Sequence, residues 1–382
     1  MRRMIISAIA LSLLLFAAGA PAECLGEWSP HVVWHVAKIG KLTSELQLGP
    51  NGLLYALCGN KLIAVDENGN KLWESDLPDG SKSGCPVFDA RGSIFIPGNA
   101  LIQEVKLNGS KGWSFKVYQG SSKAAALLTT GPGNLLYMQL PTGLYAVDTA
   151  GHYKWMITQW DQVYNASTQL ETDWEILASV GNDQAVFVII GKKKEGYTLM
   201  AFGEGGKIRW RYSLGEIKQA NLVVGGNGRV YATVNPKRTD DYYKGTVYAF
   251  ESDGDGSPLW SYAMGCVDLT APTPSEDGLL YFCADEKLYA LNQDDGTEAW
   301  YEPLPKAISR PSVDENNMRY YLGTEDKRLL ALNTEGRLDW NLTLDGKVSM
   351  RPMVGPDGYL YVVTEAGSIY KIKDEAPESD GG

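Results

Sequence analysis

Cysteine, histidine and net positive charge are scarce in this chain. Its 382 residues include five cysteines, Cys24, Cys58, Cys85, Cys266 and Cys283, and no Cys-x-x-Cys or Cys-x-x-Cys-His. The simplest redox, zinc and c-type haem sites are therefore excluded. The three histidines, His31, His35 and His152, have no serine, cysteine or acid at a recognisable catalytic spacing. Net charge is -11. Such a surface repels nucleic acid and anionic lipid, so no phosphate-binding footprint and no nucleic-acid partner are expected. The one long apolar run, 5–18, is too short and too close to a cleavage signal to read as a membrane span, and none is expected in the mature chain.

That run follows Arg2 and Arg3 and precedes Ala20-Pro21-Ala22, a small-x-small signal. Residues 1–22 therefore read as a cleaved secretory signal, with a periplasmic or secreted mature chain. Glu23, bulky and charged, precedes Cys24, which disfavours lipid attachment there. An oxidising compartment makes a Cys58–Cys85 or a Cys266–Cys283 disulfide plausible, and the odd count leaves a thiol over.

What the chain has in abundance is one repeated phrase. Residues 288–300 read Leu-Tyr-Ala-Leu-Asn-Gln-Asp-Asp-Gly-Thr-Glu-Ala-Trp: an alternating strand, a tight Asp-Gly turn, and a second strand that carries a tryptophan. The phrase recurs at 62–73, 144–155, 199–210, 247–260 and 329–340, and more loosely at 102–113. Its tryptophans, with one more near the start, are Trp34, Trp73, Trp113, Trp155, Trp210, Trp260, Trp300 and Trp340, spaced by 39, 40, 42, 55, 50, 40 and 40 residues. A strand-only period of about 40 residues is the signature of a β-propeller with one four-stranded blade per period. Within each period the strands are A to D, and turns such as Pro50-Asn51-Gly52 and Glu276-Asp277-Gly278 precede strand B.

The last unit has strands A to C and no tryptophan, whereas the first begins with an orphan D strand, 32–36. Trp34 precedes Gly52 by 18 residues, as Trp260 precedes Gly278. The expected fold is all-β: an eight-bladed β-propeller of four-stranded antiparallel blades over 23–373, the N-terminal strand closing the last blade, with 374–382 an acidic disordered tail. Closure hides the sheet edges.

Ala290-Leu291-Asn292 with Gly296 and Trp300, Ala64-Val65-Asp66 with Gly69 and Trp73, and Ala146-Val147-Asp148 with Gly151 and Trp155 resemble the tryptophan-docking motif, A-x-D-x-x-T-G-x-x-x-W, of quinoprotein-type propellers. The resemblance covers nearly all of 28–373 and implies the fold strongly. Two kinds of function are implied. One is PQQ-dependent dehydrogenation, with PQQ, a bound calcium ion, an aspartate base and an adjacent cysteine pair; no two cysteines are adjacent here. The other is a non-catalytic scaffold, as in the BamB-like branch, which binds without a cofactor. The scaffold is the preferred reading, with a protein or polysaccharide partner in the cell envelope and a monomeric chain.

Asp253-Gly254-Asp255-Gly256 looks like the start of a calcium loop but lacks a distal glutamate and falls where a C–D turn is due. Three insertions are more informative: 158–174 in a D–A connection, and 191–196 and 235–245 in B–C hairpins. All three fall on one face, around blades four and five. They carry Trp160, Tyr164, Trp174, Lys192, Lys193, Lys194, Lys237, Arg238, Tyr242 and Tyr243, aromatic and basic groups suited to a binding surface; Trp160 and Trp174 would also suit a polysaccharide. On the same face, Arg310-Pro311 and Arg351-Pro352 start strand A in neighbouring blades, where two guanidiniums would receive a carboxylate.

Overall fold

The computed structural model describes residues 28–37, 39–78, 86–89, 91–117, 127–158, 174–237, 245–265, 268–304 and 306–375. They form eight four-stranded antiparallel sheets. Blades 1 to 7 occupy 47–76, 87–116, 127–158, 175–215, 217–264, 273–303 and 312–343, each with its strands in chain order. Blade 8 takes strands A to C from Met353–Val354, Tyr359–Val363 and Ile369–Glu375, and its outer strand from Ser29–Val36. In that last pairing Val32 faces Ile372 and Val36 faces Ile369, with a bulge between Val32 and Trp34. The expected ring closure is what the chain adopts. Helix among the described residues is limited to 3-10 turns at Pro132–Asn134 and Glu204–Gly206, so none is long and apolar enough to cross a membrane.

The repeated phrase has a packing explanation. Across strands B, C and D, Tyr55 faces Ala64 and Ala64 faces Trp73. Tyr137–Ala146–Trp155, Tyr231–Ala249–Trp260 and Tyr281–Ala290–Trp300 form the same row. The small central residue lets the two rings close over it, with centroids 5.8 Å apart for Tyr55 and Trp73 and 5.6 Å for Tyr137 and Trp155. Such a ring pair is worth about 0.5–1.5 kcal/mol beyond the area it buries. Blade 8 departs from the pattern, with Lys371 between Tyr361 and Trp34.

Each indole then meets the next blade. Trp73 Nε1 donates to Leu107 O at 2.9 Å, and Trp260 Nε1 to Gln293 O at 2.9 Å. The turn glycine of that next blade lies flat on the indole. Gly296 has φ 71°, and a Cβ there would stand 2.5 Å from the Trp260 ring. Trp34 makes the same bond to Glu67 O, at 2.8 Å, so the N-terminal strand docks onto blade 1 as any other outer strand docks onto its neighbour. Trp210, Trp260 and Trp340 are buried and the other five half-buried, because strand D is the rim of the wheel.

The C-terminal boundary falls later than the sequence suggested. Strand C of blade 8 continues through Asp374 and Glu375, since Asp374 is an interior residue with buried partners. Residues 376–382 and 1–22, where a signal segment is expected, lie outside the described residues.

Candidate binding site at the channel mouth

A–B and C–D turns lie at one end of the blades, D–A connections and B–C hairpins at the other. At the second end, the entry into strand A is pinned by a hydroxyl. Ser44 Oγ accepts the Leu57 amide at 2.9 Å, Thr270 Oγ1 the Cys283 amide at 2.9 Å, and Ser309 Oγ the Gly323 amide at 2.7 Å. The next residue in each blade, Glu45, Ala271 or Arg310, is thereby held at one height on the channel wall.

Arg310 and Arg351 repeat one arrangement across two successive blade seams. Arg310 Nε donates to Thr273 Oγ1 of the preceding blade at 3.0 Å, and that hydroxyl donates to Pro311 O at 2.7 Å. Arg351 Nε donates to Ser312 Oγ at 3.1 Å, and Ser312 donates to Pro352 O. Proline suits the position because it has no N–H to satisfy. Sequence reading placed the two arginines side by side but missed the hydroxyls. Their signal was the residue after the proline in Ala271-Pro272-Thr273 and Arg310-Pro311-Ser312.

Among the described residues, neither guanidinium makes a hydrogen bond through its Nη atoms. Burial and the neighbouring Arg351 pull the Arg310 pKa down to about 10, against the opposing pull of Glu45. Arg351 is lowered too, by burial, again with Glu45 acting the other way. Both stay charged at neutral pH. Arg310 lines a cavity of about 630 Å³ with Glu45, Asn221, Asp268, Asp285 and Ser349. Those residues come from blades 1, 5, 6, 7 and 8 and their connections, so they meet at the axis. Burial and Asp268 raise the Asp285 carboxyl above its ordinary value, Lys287 opposing.

The insertion residues divide. Trp174 and Lys192, expected at the surface, are 7% and 6% exposed. The Lys192 ammonium lies 4.9 Å from the centre of the Trp174 ring, and the indole packs on Val186, Val188 and Ile190. A long aliphatic stem and a cation–π contact explain why a lysine is tolerated inside. Lys193 is exposed and pairs with Glu175 at 3.0 Å; Lys194 is exposed; Lys237 pairs with Glu216 at 2.9 Å. Trp160, Tyr164, Arg238, Tyr242 and Tyr243 lie outside the described residues.

Cys58 and Cys283 carry free thiols. Cys58 Sγ donates to Ile39 O at 3.4 Å, and Cys283 faces the core between blades 6 and 7, where burial pushes its pKa up to about 12. Neither expected disulfide is present; Cys85 and Cys266 lie outside the described residues. Asp255 caps its own turn by accepting the Ser257 amide at 2.8 Å. No group of three or more His, Cys, Asp or Glu placed to hold a metal occurs among the described residues.

Residues 243–372 match the family described as "Outer membrane protein assembly factor BamB". The chain is an eight-bladed propeller, and that stretch of it is similar to this family. BamB from Moraxella catarrhalis has the same fold: TM-score 0.62 at 14% identity, covering 90% of this chain and 100% of that one. The Dos1 propeller aligns at TM-score 0.65 and 12% identity, over 90% and 95% of the two chains. A streptogramin B lyase aligns at TM-score 0.52 and 12% identity, over 91% and 98%. At these identities this propeller shares a fold with all three and nothing finer. No curated protein matches its sequence significantly.

Proposed function

We propose that this propeller is an exported, non-catalytic scaffold that holds a protein partner against the D–A/B–C face. One observation carries the reading: two charged guanidiniums in successive seams, Arg310 and Arg351, have no protein acceptor for their Nη atoms among the described residues, and Arg310 lines the axial cavity. Both side chains are half-buried, and charged donors held on a rigid wall with no acceptor of their own suit an anionic group. The family match over 243–372 supports a binding role, and the basic B–C hairpin with exposed Lys193 and Lys194 stands on the same face.

Photo-crosslinking in intact cells tests it. A photoreactive residue replacing Lys194 is expected to give a discrete protein adduct, and one replacing Glu335, exposed in a C–D turn at the other end, is expected to give none. Equal labelling from both ends, or none from either, overturns the assignment of the face. Addition of PQQ and calcium with dye reduction on alcohols and aldose sugars tests the other branch of the resemblance; turnover there overturns the non-catalytic reading.

A further inference from the structure

We infer that the Arg310–Arg351 pair is a receptor for a single carboxylate, presented by a peptide segment that also carries a cationic side chain. The inference rests on the binding-face reading above and names the chemistry of its ligand.

The donor geometry selects the anion. Each arginine spends its Nε on a hydroxyl, Thr273 or Ser312, which fixes the plane of the guanidinium. The Nη edge remains, and it matches the two oxygens of a carboxylate side by side. Arg310 is half-buried, which strengthens such a bond relative to an open surface, and the rigid hydroxyl tether means little side-chain entropy is lost on binding.

Charge balance sets the size of the anion. Glu45 stands close enough to both guanidiniums to oppose their lowered pKa values. Glu45, Asp268, Asp285 and Glu286 line the cavity beside Arg310, so every further negative charge on a ligand meets them and a single carboxylate is the anion best tolerated. A phosphate dianion would place a second negative charge beside Glu45, in a chain whose net charge is already -11.

The rest of the cavity sets the second half of the ligand. Asp268, Asp285 and Glu286 line it, and Asp285 is held in αL backbone (φ 47°). Asp268 and Asp285 repel each other, and a lysine or arginine placed between them would relieve that repulsion. A cavity of about 630 Å³ takes a few residues of extended peptide. Polyanions such as nucleic acid would meet the acidic rim and be turned away.

The test is a thermal-shift and calorimetric titration of the full chain with Ac-Gly-Glu-Lys-Gly-amide, its isostere Ac-Gly-Gln-Lys-Gly-amide, and inorganic phosphate at matched ionic strength. The glutamate peptide is expected to raise the unfolding midpoint, as any ligand of the folded state does, and the glutamine peptide and phosphate to raise it less. Arg310→Gln and Arg351→Gln are each expected to weaken the glutamate peptide about tenfold or more. Without ligand, Arg310→Gln loses the Thr273 bond and the attraction of Glu45, and its melting shows whether the variant folds. Should that variant not fold, Arg310→Lys keeps the charge while losing the planar fork, and weaker binding of the glutamate peptide by that variant is the expected result. Equal response to the two peptides, a larger response to phosphate, or unchanged affinity in the arginine variants overturns the inference. Such a failure leaves the scaffold reading standing as long as the Lys194 crosslink forms; loss of that crosslink with peptide binding intact does the reverse.

Discussion

Asp374 Oδ1 accepts the Trp340 indole N–H at 2.8 Å. In the seams where Trp34, Trp73, Trp113, Trp210 and Trp260 dock, a main-chain carbonyl of the next blade does this. Blade 8 has no C–D turn, because its outer strand comes from the other end of the chain, and a carboxylate replaces the missing carbonyl. Asp374 also accepts the Tyr321 hydroxyl at 2.8 Å, and Arg319 sits 3.6 Å from it and 2.7 Å from Asp339, with Trp28 over the guanidinium.

Removing that carboxylate opens the seam. Asp374→Ala strands the Trp340 and Tyr321 donors and leaves Arg319 with one acid partner, so a loss of about 3–5 kcal/mol is expected. Asp374→Asn keeps an acceptor and costs less. Urea unfolding measures both; a loss below about 1 kcal/mol for the alanine variant would show that the closing strand is held by something else.

Turn glycines in left-handed backbone should differ in cost according to what lies above them. Gly278 and Gly296 both have positive φ, 83° and 71°, but a Cβ at Gly278 meets nothing within 4 Å and one at Gly296 meets Trp260 at 2.5 Å. Gly278→Ala is expected to cost about 1–2 kcal/mol, the left-handed penalty alone. Gly296→Ala adds an overpacking cost of about 1–3 kcal/mol. Near-equal melting of the two variants would mean that the indole is free to move aside.

These contrasts follow what could be read before folding. The tryptophans repeat in every blade, and the alanines between aromatic rings and the turn glycines in most, so their period identified the fold and the closing strand. Asp374 looked like tail because its partners lie 34 and 53 residues back, across a seam. Lys192 and Trp174 looked like surface because each stands at the edge of an insertion, and their mutual burial depends on two segments meeting. Arg310 and Arg351 were legible as a pair, since the residue before a proline at the same strand position recurs one period on.

The insertion face can be divided by stability. Trp174→Ala removes a buried ring and exposes the Lys192 cation contact, and a loss of about 3–5 kcal/mol is expected. Lys194→Glu changes an exposed residue and is expected to stay within about 0.5 kcal/mol of the parent. Chemical denaturation of the two variants decides; a stable Trp174→Ala chain would return that indole to the list of partner contacts.

Acid sensitivity should have a component from Asp357. Its Oδ2 accepts the Tyr361 hydroxyl at 2.7 Å and lies 3.1 Å from Lys371 Nζ. Burial pushes this carboxyl up, but the hydrogen bonds from Tyr361 and Lys371 outweigh it and hold the pKa below the ordinary value. A carboxylate depressed by folding stabilises the protein fully above its unfolded pKa, about 3.9, and that contribution disappears as pH falls through the folded pKa. Asp357→Asn lacks the ionisation altogether. It is expected to be less stable than the parent near neutrality, with the gap closing below about pH 4. Urea midpoints of the two proteins compared from neutral to acid pH test this, and a gap of constant size across that range would remove the Lys371 pair from the account of blade 8.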